Sequence, residues 1–262
     1  MRLAQGGGMS DATPDRTPAQ PTHRETEPPP SGLAAALFAR LDASIAELWA
    51  RARSGQFWTR VESGGCSREL YRVTLGQIYH YTRHNSVNQA VTALRADPEQ
   101  LGLLRFVYGH AREELGHEQM ALHDLESLGL LPEGRVEEPP LPATDALIHY
   151  LYGVALREGP IPRLGYSYWA ESVYGHIGPL LMEATRSLGL TRRNLTFFAA
   201  HSELDTQHAA QVRQAICRVV KTSAQAEALH RVAVTSLWLT LQMLEQVSEA
   251  AQAAPERAGV GR

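Results

Sequence analysis

From Ser31 to about Ala250 the large apolar residues recur every three or four positions, and no stretch alternates with period two. That pattern confines the chain to packed helices and leaves no strand to build a sheet. Ser31 caps a first helix carrying Leu33, Leu37, Leu41, Ile45 and Leu48, which ends near Gly55. A second is predicted from about Ser67 to Arg95, with Leu70, Leu75, Ile78, Tyr79 and Val87 on it. Asp97-Pro98-Glu99-Gln100 supplies a capping aspartate followed by proline at the first helical position, and opens a helix that runs to Gly129. After a proline-rich loop over 131–142, Thr144 opens a helix that stops before Gly159-Pro160. A further helix covers about 163–188 and is closed by Gly189; another, capped by Thr191, reaches about Val220; the last runs from Ser223 to about Ala250. About seven helices in one unit over 31–252 make an all-α domain. Residues 1–30 hold six of the fifteen prolines and a Gly6-Gly7-Gly8 run, so they read as a disordered leader, with Met9 an alternative start. Residues 253–262 read as a flexible tail.

Composition narrows the function classes. Twenty-five basic against twenty-eight acidic residues, without a basic block, offer no footprint for a polyphosphate backbone, so no nucleic-acid partner is expected. No apolar run approaches the roughly 18 residues that span a bilayer, and the N-terminus lacks the apolar centre of a signal peptide; no membrane partner and a cytoplasmic location are expected. Cys66 and Cys217 are far apart and form no Cys-x-x-Cys pair, which fits a reducing compartment. Lys221 is the single lysine and sits in an unpromising context for Schiff-base chemistry. Eleven histidines are the unusual count, and they are partly organised.

His201, Asp205 and His208 fall at i, i+4 and i+7, which places them within about 60° of one another on a helix. His110, Glu114 and His117 repeat that spacing, and within them Glu114-x-x-His117 has the carboxylate-histidine interval of di-iron sites in helical bundles. One such element is common on solvated faces, whereas two on separate helices, both flanked by Leu, Phe and Val, imply buried ionisable groups. Burying them without partners costs several kcal/mol each, and a metal supplies the partner. A two-metal site needs a third source of oxygen ligands: Glu171, among Tyr166, Tyr168, Trp169 and Tyr174, is the first choice and Glu183 the alternative. Mixed histidine and carboxylate donors suit Fe(II) or Mn(II) better than zinc.

The stretches EELGHEQMALHDLESLG, YWAES and HSELDTQH, in that order, resemble the three ligand helices of the heme-oxygenase-like di-iron oxidases, the iron-containing redox enzyme family. The resemblance covers about 57–220 and implies a heme-oxygenase-like bundle. Carried over position by position, the family's ligands fall on Glu114, His117, Glu171, His201, Asp205 and His208. Some members place a glutamate seven residues before the first ligand histidine, where this chain has His110; others use the acid three residues before, as Glu114 would be. His110 is therefore a seventh ligand, a hydrogen-bond partner of a ligand, or neither, and Glu113 is a fallback should Glu114 face solvent. The implied activity is oxygen activation by two Fe(II) ions, with manganese the alternative metal, O2 the co-substrate and the external electron donor open.

Family members N-oxygenate amines or guanidines, or cleave carbon–carbon bonds in amino or fatty acids, including alkene-forming decarboxylation. N-oxygenation of an amine, amino acid or guanidine in a biosynthetic pathway is the leading expectation here. Tyr79, Tyr108, Tyr166, Tyr168, Arg83 and Arg163 are candidate polar partners of such a substrate.

Rival readings of the same residues are a ferritin-like bundle, with Glu69 or Glu62 as its extra carboxylate; a metal-free thiaminase-type relative using Cys217; a heme oxygenase with His80 or His84 as axial ligand; and a helical module without catalysis. His80 and His84 could also support the ligands from behind, whereas His123, His149, His176 and His230 have no partner at ligand spacing. Leu237, Trp238, Leu241 and Leu244 serve as packing or as the face of a homodimer.

Overall fold

A computed structural model describes residues 32–131, 136 and 138–253, with the backbone alone given for 201–206. The expected leader lies outside the described residues, as does the expected tail except for Ala253. Among the described residues there are ten α-helices, two short 3-10 turns and no strand. They are α1 (Gly32–Ala52), α2 (Gln56–Gly64), α3 (Arg68–Val91), α4 (Leu101–Glu113), α5 (Glu118–Ser127), α6 (Pro142–Arg157), α7 (Pro160–Ala170), α8 (Tyr174–Leu188), α9 (Thr196–Val219) and α10 (Ser223–Ala253). No described helix is long and apolar enough to cross a membrane.

The all-α reading holds, and the helix count departs from it in three places. The helix expected from Asp97 to Gly129 is two helices: Asp97 Oδ1 accepts from Glu99 N at 2.9 Å in a turn, α4 begins only at Leu101, and the chain breaks again at 114–117. Gly116 there has φ +92, a left-handed conformation that glycine adopts without a Cβ clash. The helix expected over 163–188 begins at Pro160 and breaks at 171–173 into α7 and α8. α2 was not foreseen. Its Phe57, Trp58 and Val61 are buried, and its N-terminus is held by a distant residue: Glu245 of α10 accepts from Gln56 N at 2.8 Å. Thr191, expected to cap the long ligand helix, caps a 3-10 turn instead.

α10 runs through the middle of the bundle against α7, α1, α6 and α3, while α9 packs on α7, α5 and α4. Leu237, Leu241 and Leu244 are buried packing, and Trp238 on the same helix is exposed. α7 lies backbone-close on α10 at Gly165. A Cβ at Gly165 would lie 2.2 Å from the carbonyl oxygen of Leu229 and 2.8 Å from the backbone nitrogen of Ala233. Backbone cannot yield as a side chain can, so Gly165→Ala is expected to cost at least about 1–3 kcal/mol. Chemical denaturation measures it; an unchanged midpoint would show that the two helices are not in backbone contact.

α9 is seated by a buried carboxylate on α5. Asp124, fully inaccessible, accepts from Thr196 N at 2.8 Å, Thr196 Oγ1 at 2.7 Å and Phe197 N at 3.0 Å. These are the otherwise unpaired donors of the first turn of α9, next to the positive end of its dipole. Further along α9, Arg213 donates to Tyr168 Oη on α7, which donates to Asp42 on α1, each at 2.6 Å. The helix carrying His208 is thus tied at both ends to the elements it must face.

Candidate metal centre

His110 near the end of α4, Glu114 at its C-cap, Glu171 at the C-cap of α7 and His208 on α9 come together in the core. One donor atom from each lies within 4.8 Å of all the others, and all four residues are buried. His110 Nε2 is 3.0 Å from Glu171 Oε1, and His208 Nδ1 is 3.4 Å from Glu171 Oε2. His117, half-buried, joins the edge of the group with Nδ1 3.5 Å from Glu114 Oε2. Glu113 is largely exposed and meets the group from outside, 3.4 Å from His208 Nε2.

The helix breaks explain this convergence. An unbroken helix over 97–129 would hold Glu114 and His117 on one rigid line. The turn at 114–117 lets Glu114 end α4 while His117 starts α5. Glu171 ends α7 in the same way, its N–H still bonded to Ser167 O at 3.0 Å. Two carboxylates therefore sit at the negative ends of their own helices. That is unfavourable by a few tenths of a kcal/mol or more each unless positive charge lies close by.

The structure supplies imidazoles as that charge in the absence of metal. Burial pushes the Glu171 carboxyl up, but hydrogen bonds and charge from His110 and His208 override it and hold it at about 2. Burial also raises Glu114, and the His117 hydrogen bond together with His110 brings it below its ordinary value. Reciprocally, hydrogen bonding to Glu114 raises His117, and hydrogen bonding to Glu171 raises His208. The linked effect on the metal-free fold has a definite sign. The Glu171 contribution is present above its unfolded value near 4.5 and is lost as pH falls through about 2, and that of Glu114 is lost as pH falls through its own lowered value. The histidines' contribution is full below about 6.5 and is lost as pH rises through their raised values.

A metal must displace the protons that His117 and His208 hold, so its apparent affinity is expected to fall between about pH 8 and about pH 5.5. Fe(II) titrations at the two pH values, with proton release followed, check this; equal affinity without proton release would contradict it.

Behind Glu114 stands a polar support that the sequence did not reveal. Asn85 Nδ2 on α3 donates to Glu114 Oε2 at 2.9 Å, and Asn85 Oδ1 accepts from Arg163 Nη2 at 2.7 Å. Arg163 is fully buried, donates also to Asn88 Oδ1 (2.8 Å) and Ser167 Oγ (3.0 Å), and lies 4.3 Å over the Tyr166 ring. An asparagine on α3, 29 residues before Glu114, carries no local signal; only the packing of α3 against α4 brings it there.

Two openings flank the cluster. His110 and Glu113 line a groove of about 660 Å³ between α4 and α9, whereas Glu114 and Glu171 line a smaller cavity of about 110 Å³. The rest of that cavity is mainly aromatic and aliphatic, including Tyr166, Trp169, Phe197, Phe198 and Met243, with Thr74, Thr82, Asn85 and Thr240 as its uncharged polar members.

Several sequence expectations are corrected by position. Glu183, the alternative acid, is on α8 and pairs with Arg186 and Ser187. Glu69, the acid a ferritin-like site would use, pairs with Arg72. His80 binds the carbonyl of Glu138 at 2.8 Å and His84 faces Tyr152 Oη at 3.2 Å, so neither stands behind the cluster. Of the six polar side chains proposed for substrate, only Tyr166 lines the cavity. Tyr108 is exposed, Arg83 lies over the Tyr79 ring, Tyr168 is bound to Asp42, and Arg163 is engaged with the asparagines. His201 and Asp205 are on α9, two turns and one turn before His208 respectively, and their side chains lie outside the described residues.

The sequence model of a family described as iron-containing redox enzymes matches residues 72–243. No curated protein matches the chain. Among solved structures, a domain of unknown function with a heme oxygenase-like fold from Shewanella denitrificans OS217 is 37% identical, with a TM-score of 0.80 over 85% of this chain and 96% of that one. A TenA homologue from Pseudomonas syringae pv. tomato is 15% identical with a TM-score of 0.69, covering 84% of this chain and 98% of the other. The heme-bound heme oxygenase-1 of the cyanobacterium Synechocystis sp. PCC6803 is 18% identical with a TM-score of 0.64, covering 85% and 95%. The last two likenesses are of fold alone.

Proposed function

Because the chain belongs to the iron-containing redox enzyme family, built on the heme oxygenase-like fold, we propose that it is a non-heme di-iron oxygenase that N-oxygenates a small amine. The observation that carries this reading is the buried His110–Glu114–Glu171–His208 cluster opening into an apolar cavity. The donors fit iron by several marks. Histidine and carboxylate are mixed, a donor set that Fe(II) accepts. His110 Nδ1 is buried with no hydrogen-bond partner. Among the described residues neither Glu114 nor Glu171 forms an ion pair with a lysine or arginine.

In this reading Glu114, Glu171, His110, His117 and His208 hold the ions, with His201 and Asp205 completing the set from α9. Bound iron(II) would supply electrons and open coordination positions for O2. The chain's own share is geometric and electrostatic. Asn85 fixes the Glu114 carboxylate, Glu171 orients two imidazoles at once, and the aromatic walls keep bulk water from the reacting atoms. The groove beside His110 offers a route by which small reactants and an external reductant approach from the other side.

The test is anaerobic Fe(II) loading followed by O2 and an amine panel, with products identified by mass spectrometry. Hydroxylamine or nitro products are expected. Olefin or aldehyde from carboxylic acids, with no N-oxidised product, would replace N-oxygenation by oxidative carbon–carbon cleavage at the same site.

A further inference from the structure

We propose that the cavity lined by Glu114 and Glu171 selects a compact amine with a single polar end and an uncharged body of about seven carbons or fewer, and so excludes amino acids, guanidino acids and long-chain fatty acids. This deepens the reading above and rests on it. Size is the first argument. The cavity holds about 110 Å³, and an apolar cavity of about 150 Å³ takes one benzene ring. With modest movement of the walls a single ring or a short alkyl chain fits, and a dodecyl chain does not.

Charge is the second argument. The only charged side chains lining the cavity among the described residues are Glu114 and Glu171. Residues 201–206, which follow Phe198 on α9, contain no lysine or arginine in the sequence HSELDT. The nearest buried cation, Arg163, has all three guanidinium nitrogens engaged, to Asn88, Ser167 and Asn85, and one face covered by Tyr166. A carboxylate carried on the body of a substrate would therefore sit among Trp169, Phe197, Phe198 and Met243 with no counter-charge, at a cost of several kcal/mol. A neutral amine suits the same walls, because its lone pair faces the metal end of the cavity while its body meets aromatic and aliphatic side chains.

Trp49 and Trp169 line the cavity and report occupancy by their fluorescence. Binding to the full chain, loaded with Fe(II) under argon, is measured for benzylamine, phenylalanine and dodecylamine. Benzylamine is expected to bind at least about ten-fold tighter than either. Phenylalanine or dodecylamine binding as tightly as benzylamine would overturn the proposal. Phe198→Ala enlarges the cavity, and the smaller change Met243→Ala serves if that variant fails to fold. Each is expected to improve dodecylamine relative to benzylamine by about ten-fold, and an unchanged ratio would show that the amine binds elsewhere. The binding readout needs no turnover. Amine selectivity without O2 reactivity would contradict the oxygenase reading and leave this inference standing, whereas O2-dependent turnover of amino acids would do the reverse.

Discussion

Glu171→Gln is expected to leave the bundle folded, to lose at least one iron per chain, and to lower O2-dependent turnover by at least about 100-fold. Among the described residues, Glu171 is the member of the cluster that lies against two imidazoles, with one oxygen at His110 Nε2 and the other at His208 Nδ1. It thereby joins α4 and α9 through the end of α7. The amide keeps the shape and one acceptor but carries no charge for a metal or for an imidazolium. The loss also appears without metal. A carboxyl held at about 2 against an ordinary 4.5 contributes on the order of 3 kcal/mol at neutral pH, and this is present above about 4.5 and lost as pH falls through about 2. The variant should be less stable than the parent at pH 7 and approach it near pH 2. Iron analysis and urea melts at both pH values test this, and full iron content with unchanged turnover would remove Glu171 from the site.

Arg163→Met is expected to be the most destabilising side-chain replacement near the site, by on the order of 3–5 kcal/mol. The methionine fills most of the volume but leaves Asn85 Oδ1, Asn88 Oδ1 and Ser167 Oγ without the donor each now has, at about 1–3 kcal/mol for a buried unsatisfied group. Burial lowers the Arg163 guanidinium to about 10, still well above neutral pH, so the parent residue is charged under ordinary conditions. The effect should reach iron through Asn85, which would lose the bond that orients its amide toward Glu114. A melt combined with iron affinity reads both parts. Asn85→Leu separates them, being expected to weaken iron binding by about 10–100-fold at smaller cost in stability. A stable Arg163→Met variant with normal iron affinity would contradict the support role.

Helix type was legible because it rests on period 3.6, which is local, and the same period gave the spacing that singled out Glu114 and His208. Gly129, Gly159 and Gly189 stop helices where the sequence places the stops, all with positive φ. The breaks at 114–117 and 171–173 were less legible. Gly116 marks the first, but nothing in Glu171-Ser172-Val173 excludes a continuing helix, and the bend there depends on what α7 packs against. α2 was missed because its N-terminus is capped by Glu245, about 190 residues away in the chain. The same distinction holds within the site. Glu114 was chosen from its spacing to His117 and Glu171 from its aromatic surroundings and the family resemblance, and His110 was left open because spacing alone cannot tell a ligand from its neighbour. Asn85 was invisible, since its role comes from the packing of α3 on α4 and α7. Arg163 was seen as a cation near the site and assigned to substrate; its hydrogen bonds give it to the scaffold instead.

The most direct test of the account is the iron content of the full chain after anaerobic Fe(II) loading, with Mössbauer spectra recorded before and after O2. Two irons per chain are expected, as high-spin non-heme Fe(II) that O2 converts to a magnetically coupled ferric pair. Protein that takes up no iron, or that carries heme with a Soret band and no non-heme iron, would contradict the assignment of the buried His110–Glu114–Glu171–His208 cluster as a di-iron centre.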